Sequence, residues 1–158
     1  MKIKILSFFI LLLTLGCESD DLTNDQRIAN EIWVEIQGYE TWDQNPELLG
    51  IQPGDSPHGE YVQIWINDVA KEFFNAERDD DLLPDGSIIV KEGYSDQNGS
   101  NMNKITIMKK INSFDPDNND WFWANYNENG SLGGKSGKVS SCYSCHVSGK
   151  DYILSRTW

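Results

Sequence analysis

Apolar residues along this chain recur with two different periods, and the change from one to the other divides it. Ile28, Ile32 and Ile36 recur every fourth residue with Ala29 and Trp33 alongside. That spacing predicts one amphipathic helix of about three to four turns. Thr23-Asn24-Asp25-Gln26 ahead of it has the form of a capping box, with Thr23 as N-cap and Gln26 as its reciprocal partner, and Gly38 marks the end. Beyond Gly38 the period falls to two. Glu60 to Ile66 sets Val62, Ile64 and Ile66 on one side against Tyr61, Gln63 and Trp65 on the other. Ser87 to Glu92, Lys104 to Lys109 and Trp121 to Tyr126 read as three further strands. Asn67 or Asp68 can cap a short helix carrying Val69, Ala70, Phe73 and Phe74, with Glu77 to Asp81 as its solvated end.

The connecting stretches carry turn chemistry. Pro46, Gly50, Pro53, Gly54, Pro57 and Gly59 make Asn45 to Gly59 a loop; Pro84-Asp85-Gly86 and Asn129-Gly130 are turns, and Asp115 to Asp120 is a loop. Gly133 to Ser141 is a run of mostly small residues leading to the C-terminal segment. No parallel βαβ rhythm and no internal repeat is visible. The expected fold class is α+β, a predominantly antiparallel β-sheet with flanking helices.

The first residues follow another logic. Lys2 and Lys4 precede an apolar run from Ile5 to Leu15, too short to span a bilayer comfortably and suited to a signal-peptide core. Leu13-Thr14-Leu15-Gly16-Cys17 resembles a bacterial lipobox, with Thr14 where the usual pattern has Leu. Cys17 is therefore the expected lipidation site, against an ordinary cleaved signal peptide with a chance cysteine. Residues 1–16 would be the leader, 17–23 a lipidated tether and 24–158 a single domain. Glu18-Ser19-Asp20-Asp21 looks like the acidic export signal of some Gram-negative surface lipoproteins, and serves equally as a solvated tether. The expected address is the bacterial cell envelope, at the outer membrane or the periplasmic face, with the lipid as the only membrane attachment. Without Lys2 and Lys4, 11 basic residues face 25 acidic ones, a formal charge of −14. That balance argues against nucleic acid as a partner and suits docking to a basic redox partner.

The chemistry is concentrated in Cys142-Tyr143-Ser144-Cys145-His146. The C-x-x-C-H spacing is the signature of covalent c-type haem attachment: Cys142 and Cys145 form thioethers, and His146 is an axial iron ligand. A zinc site would need a fourth ligand, and the only other histidine is His58, in the turn Ser56-Pro57-His58-Gly59. A redox C-x-x-C usually accompanies the βαβ unit that is missing here. With Cys17 given to lipid, all three cysteines are used. One haem c is the expected cofactor, and export agrees with it. For a second axial ligand, His58 reads more readily as a turn histidine and Met108 as core, leaving Met102 and an iron with no obvious sixth ligand. Lys91 shares a strand face with Ile89; on pattern alone it is a strand-end lysine reaching for water.

Pro84 to Glu92, Met108-Lys109, Asp120 to Ala124, Gly130, Cys142 to His146 and Asp151-Tyr152 occur in that order, and His58-Gly59 and Tyr61-Val62 fit ahead of them. Together they resemble the cytochrome P-460 family, including its cytochrome c′-beta relatives, over roughly Gly38 to Ser155. The resemblance implies a mainly antiparallel β fold, a homodimer and a five-coordinate c-type haem. In catalytic members a lysine is joined covalently to the haem edge, and hydroxylamine is oxidised or nitric oxide handled. The family's V-K-E lysine matches Lys91, which becomes the candidate crosslink. Efficient hydroxylamine oxidation in the family needs a distal carboxylate, yet no Asp or Glu stands between Glu128 and Cys142, and Glu60 and Glu92 are the substitutes to consider.

The expected function is redox chemistry on hydroxylamine or nitric oxide at an open distal haem site. The alternatives are a nitric oxide or gas-binding protein without turnover, and a six-coordinate electron-transfer cytochrome using Met102, Met108 or His58.

Overall fold

The computed structural model describes residues 22–75 and 82–154. The leader, Cys17, most of the tether and the run Glu77 to Asp81 lie outside the described residues. Helix α1 (Asn24–Glu35) begins at the capping box read from the sequence: Gln26 N–H donates to Thr23 Oγ1 at 3.2 Å and Thr23 N–H to Gln26 Oε1 at 2.8 Å. Gly38, at φ +82°, turns the chain after it, a left-handed backbone that favours glycine. Helix α2 (Asp68–Asn75) starts where Asn67 Oδ1 accepts Ala70 N–H at 3.1 Å, and helix α3 (Ser140–His146) carries the C-x-x-C-H residues.

The strands are β1 (Asp43–Gln44), β2 (Gln52–Pro53), β3 (Tyr61–Ile66), β4 (Ile88–Tyr94), β5 (Met102–Lys110), β6 (Trp121–Tyr126) and β7 (Leu132–Gly137). Among the described residues these seven form one sheet in the order β1-β3-β4-β5-β6-β7, with β2 also on β3 and every pairing antiparallel. The α+β reading holds. Strand β2 falls in the expected loop and β7 in the small-residue approach, and β1 lies just ahead of the loop, where no strand was expected. Each is short or rich in glycine, so no alternating pattern announces it, and pairing with β3 or β6 recruits it.

Register decides what shares a face, because residues opposite each other across an antiparallel pair point the same way. Ile64, Lys91, Thr106 and Asn125 form one row across four strands, and Ile66, Ile89, Met108 and Trp123 form the next. The other face carries Ile88, Val90, Ile105, Ile107, Phe122 and Ala124, covered by Ala29 and Ile32 of α1 and by Ile36 at its C-cap. Burying each of those isoleucines contributes about 2 kcal/mol, so α1 seals that face. Helix α2 covers part of the first face with Ala70 and Phe73, where Trp121, Trp123 and Ile153 join the same cluster. What α2 leaves uncovered is where α3 and the loop before β3 meet.

Candidate functional site

The spacing of the C-x-x-C-H residues gains meaning on a helix. Positions three and four apart lie on one side of an α-helix, so Cys142, Cys145 and His146 of α3 face the sheet together. They line a cavity of about 210 Å³ whose floor is the exposed part of the sheet. Lys91, Thr106, Met108 and Trp123 form that floor, and Pro57 and His58 close the side opposite α3. The two thiols are free, Cys142 half-buried and Cys145 exposed. Burial pushes the Cys142 thiol up, with the Lys135 charge opposing.

His146 is buried, 7% exposed, and its Nδ1 lies 2.8 Å from the Tyr152 carbonyl oxygen, which can only accept, so Nδ1 carries the proton. That leaves Nε2 as the lone-pair nitrogen, as an iron ligand requires. The carbonyl is held in place by its neighbour. Asp151 Oδ1 accepts from Lys110 Nζ at 2.7 Å, from Asn119 at 3.0 Å and from Trp121 Nε1 at 3.2 Å, and Oδ2 accepts Leu83 N–H at 2.7 Å. Asp151 and Tyr152 sit in left-handed backbone at φ +47° and +66°, held there by this network. The Trp123 ring packs against His146 at 4.9 Å between centroids.

Lys91 lies on the cavity floor and not at a solvated strand end. Among the described residues its Nζ has no hydrogen-bond or ion-pair partner; burial lowers its pKa from the ordinary 10.5, and the charge of Asp55 opposes this. A desolvated amine is more readily neutral, and a neutral amine is the nucleophilic form.

His58, expected as a turn histidine, lies in a turn that reaches the cavity. Its loop joins β2 to β3 and is drawn over the sheet by three contacts: Lys104 Nζ donates to the Pro57 carbonyl at 2.7 Å, His58 Nδ1 meets Thr106 Oγ1 at 3.2 Å, and Gly54 N–H donates to the Glu60 carbonyl at 2.8 Å. Gly93 makes the approach possible, since a Cβ there would stand 1.7 Å from the His58 carbonyl oxygen. Burial lowers the His58 pKa from 6.5 to about 3, with Lys91, His146, Lys104 and Lys135 adding to the effect. The glycine and proline around His58 were read as a turn, which is correct; the fold of that turn onto β5 is long-range and left no local signal.

The other candidates separate cleanly. Met108 lies on the cavity floor, whereas Met102 packs against the face covered by α1. Glu92 is also on that far face, and exposed Glu60 borders a different cleft beside Gly54 and Asp55. Among the described residues no Asp or Glu lines the cavity, although the chain has 25 of them. Lys91, Lys104 and Lys135 do line it.

Residues 36–155 match the family described as Cytochrome P460, close to the span anticipated from the quoted residues. The chain belongs to the Cytochrome P460 family. No curated protein matches the chain. Membership makes haem the cofactor class, and the cavity fits it in three respects. Two free thiols and a correctly tautomeric histidine stand on one helix face. Lys104 and Lys135 give cationic groups at a cavity with no carboxylate, suited to propionates. Trp123 Nε1 is a buried donor in the wall with no partner among the described residues, in keeping with a polar group of a bound cofactor.

Proposed function

We propose that this protein is an exported, lipid-anchored c-type monohaem protein of the Cytochrome P460 family that carries out redox chemistry on small nitrogen species, hydroxylamine or nitric oxide. Cys142 and Cys145 hold one haem c, His146 is the proximal ligand, and Lys91 is the third covalent attachment, at the haem edge. When bound, the haem supplies an iron that takes the small ligand and exchanges electrons with it. The observation that carries this reading is the place of Lys91: a half-buried lysine on the cavity floor below the C-x-x-C-H helix, its amine held toward the neutral form by desolvation and without a partner among the described residues.

The chain's own residues supply the setting. Asp151 and Lys110 hold the Tyr152 carbonyl that orients His146, and Trp123 and Met108 exclude water from its flank. Lys104 and Lys135 favour anionic groups at the cavity. The lipid at Cys17 would hold the protein at the cell envelope, where an acidic surface suits a basic redox partner; a homodimer is the expected assembly. No helix of the described residues is long and apolar enough to cross a membrane.

A second reading has its own support. With no carboxylate lining the cavity, no evident base takes protons from hydroxylamine, which favours nitric oxide binding without turnover. One experiment separates the two: haem-peptide mass and the ferrous absorption spectrum of wild type and Lys91→Ala. Three attachments and a strongly red-shifted ferrous band, both lost in Lys91→Ala, support the enzyme. Two thioethers only, with an ordinary ferrous band, leave the gas-binding protein.

A further inference from the structure

We propose that Asp151 is a positioning residue that sets how strongly His146 donates electrons to the haem iron, and so sets the iron's reduction potential. It acts through the Tyr152 carbonyl, with Lys110 as its counter-charge. This deepens the proposed function and rests on haem being attached at α3.

A histidine whose ring N–H is held by a good acceptor is a stronger base at its other nitrogen, and a stronger donor favours ferric iron. The Tyr152 carbonyl is that acceptor, 2.8 Å from His146 Nδ1. What matters is therefore where the peptide plane carrying it points. Ile153 N–H lies in the same plane, directed the opposite way, and donates to the Lys150 carbonyl at 2.9 Å. The preceding plane is held at both ends. Trp121 Nε1 donates to the Asp151 carbonyl at 2.9 Å, and Tyr152 N–H donates to the Gly149 carbonyl at 3.2 Å. Gly149 N–H in turn donates to the His146 carbonyl at 2.9 Å, which folds the turn back onto the end of α3.

Closure of the C-terminal turn would account for these backbone bonds alone. It does not account for the charge. Asp151 and Lys110 are both buried, with Nζ 2.7 Å from Oδ1, and the Lys110 amine also lies 4.7 Å from the centre of the Trp121 ring. A buried ion pair commonly adds little stability over an apolar pair of similar volume, so stability is a poor reason for one here. Lys110, Asn119, Trp121 and Leu83 all donate to the two Asp151 oxygens. They reach a turn in which Asp151 and Tyr152 both take left-handed backbone, a conformation that persists where its surroundings over-determine it. The carbonyl facing His146 is thereby referenced to the sheet, through β5 and β6, and not only to its own loop. With the five-coordinate haem that the family resemblance implies, His146 is the one protein ligand on the iron, and its hydrogen bond is a direct control of the potential.

The test uses the holoprotein. Asp151→Gly keeps the left-handed backbone accessible and removes the carboxylate. At a fixed applied potential its ferrous-to-ferric ratio should rise about tenfold, a shift of about 59 mV for one electron. Its ferrous iron–histidine stretching frequency in resonance Raman should fall. Asp151→Asn, which keeps an oxygen for Lys110, should lie between that variant and wild type. Asn119→Gly suits the φ of +54° there and removes one donor to Oδ1, so it should shift both readouts the same way by less. Glu92→Ala, on the far face, should leave both unchanged, which separates positioning from general loosening. Unmoved potential and frequency in Asp151→Gly overturn the proposal, and so does an equal shift in Glu92→Ala. If Asp151→Gly takes up no haem, Asn119→Gly decides: a shift in both readouts supports the proposal and no shift overturns it. If peptide mass finds no haem on Cys142 and Cys145 of wild type, the haem reading and this proposal fall together; haem attached with unmoved readouts removes this proposal alone.

Discussion

Lys91 and Glu92 are neighbours in β4 and point to opposite faces of the sheet. Glu92 is 3% exposed and accepts from the Tyr39 hydroxyl at 2.8 Å, the Tyr94 hydroxyl at 2.7 Å and Trp65 Nε1 at 3.0 Å. Among the described residues it forms no ion pair, yet three donors converge on its two oxygens, and α1 and the following turn close over them. Lys91 is half-buried on the other side, largely desolvated and with no such partners among the described residues. A desolvated charge without a partner is unfavourable, so a lysine held in this cavity calls for a reason beyond stability. The contrast separates a face built to hold the domain together from a face built to hold something else.

The strongest way to break the comparison is Glu92→Ala. It leaves two phenols and an indole N–H buried without an acceptor, and should lower stability by about 4 kcal/mol, read from urea unfolding, with the haem-site spectrum of the folded fraction unchanged. A loss below about 1 kcal/mol would mean that the network is ornamental. Gly93→Ala comes next and tests the boundary between the two faces. The added Cβ meets the His58 carbonyl oxygen at 1.7 Å and its carbon at 2.9 Å, so the loop must lift off the sheet. The expected loss is about 2 kcal/mol. It should be accompanied by a change in the haem-site absorption, which Glu92→Ala does not produce.

How much of this was visible beforehand differs between the faces in the same way. Strands β3, β5 and β6 were legible because each alternates or is densely apolar, and α1 because its cap and its four-residue spacing agree. The thiols and His146 were legible because their spacing along one helix carries the chemistry. The role of Glu92 was not, since its donors come from Tyr39 and Trp65, far away in the chain, and only the register of β3 on β4 brings them together. The place of His58 beside the cavity was hidden for the same reason: the contact with Thr106 spans 48 positions and depends on the missing side chain of Gly93. Lys91 was placed correctly on the face of Ile89, but whether that face met water depended on α3 and the loop carrying His58.

A smaller effect probes the closed face by pH. Burial, and after it the Glu92 carboxylate, raises the pKa of both Tyr39 and Tyr94 above the ordinary 10.0. The folded state therefore keeps protons that the unfolded chain releases above pH 10. Their contribution is fully present below that pH and is lost as pH climbs toward the folded values, so stability falls on the alkaline side. Tyr94→Phe should lower stability by about 1 kcal/mol at neutral pH. It should also make the alkaline decline shallower, and adding Tyr39→Phe shallower again, in urea unfolding over roughly pH 9 to 11. Equal alkaline slopes in all three proteins would show that the phenols are not held neutral by this face.

The smallest effect on stability is expected where the functional effect is largest. Lys91→Met keeps most of the side-chain length and its contacts on the cavity floor while removing a group whose charged form is disfavoured there. Replacing a half-buried, desolvated amine by an apolar side chain of similar length should change stability by no more than about 1 kcal/mol, in either direction. The same substitution should remove the third haem attachment and the red-shifted ferrous band. Urea unfolding and haem-peptide mass on one preparation therefore give opposite answers for two adjacent residues: Glu92→Ala unstable with the haem site intact, Lys91→Met stable with it altered. If Lys91→Met were as destabilising as Glu92→Ala, the amine would have to be satisfied in the folded protein. Lys91 would then belong to the framework rather than to the chemistry of the cavity.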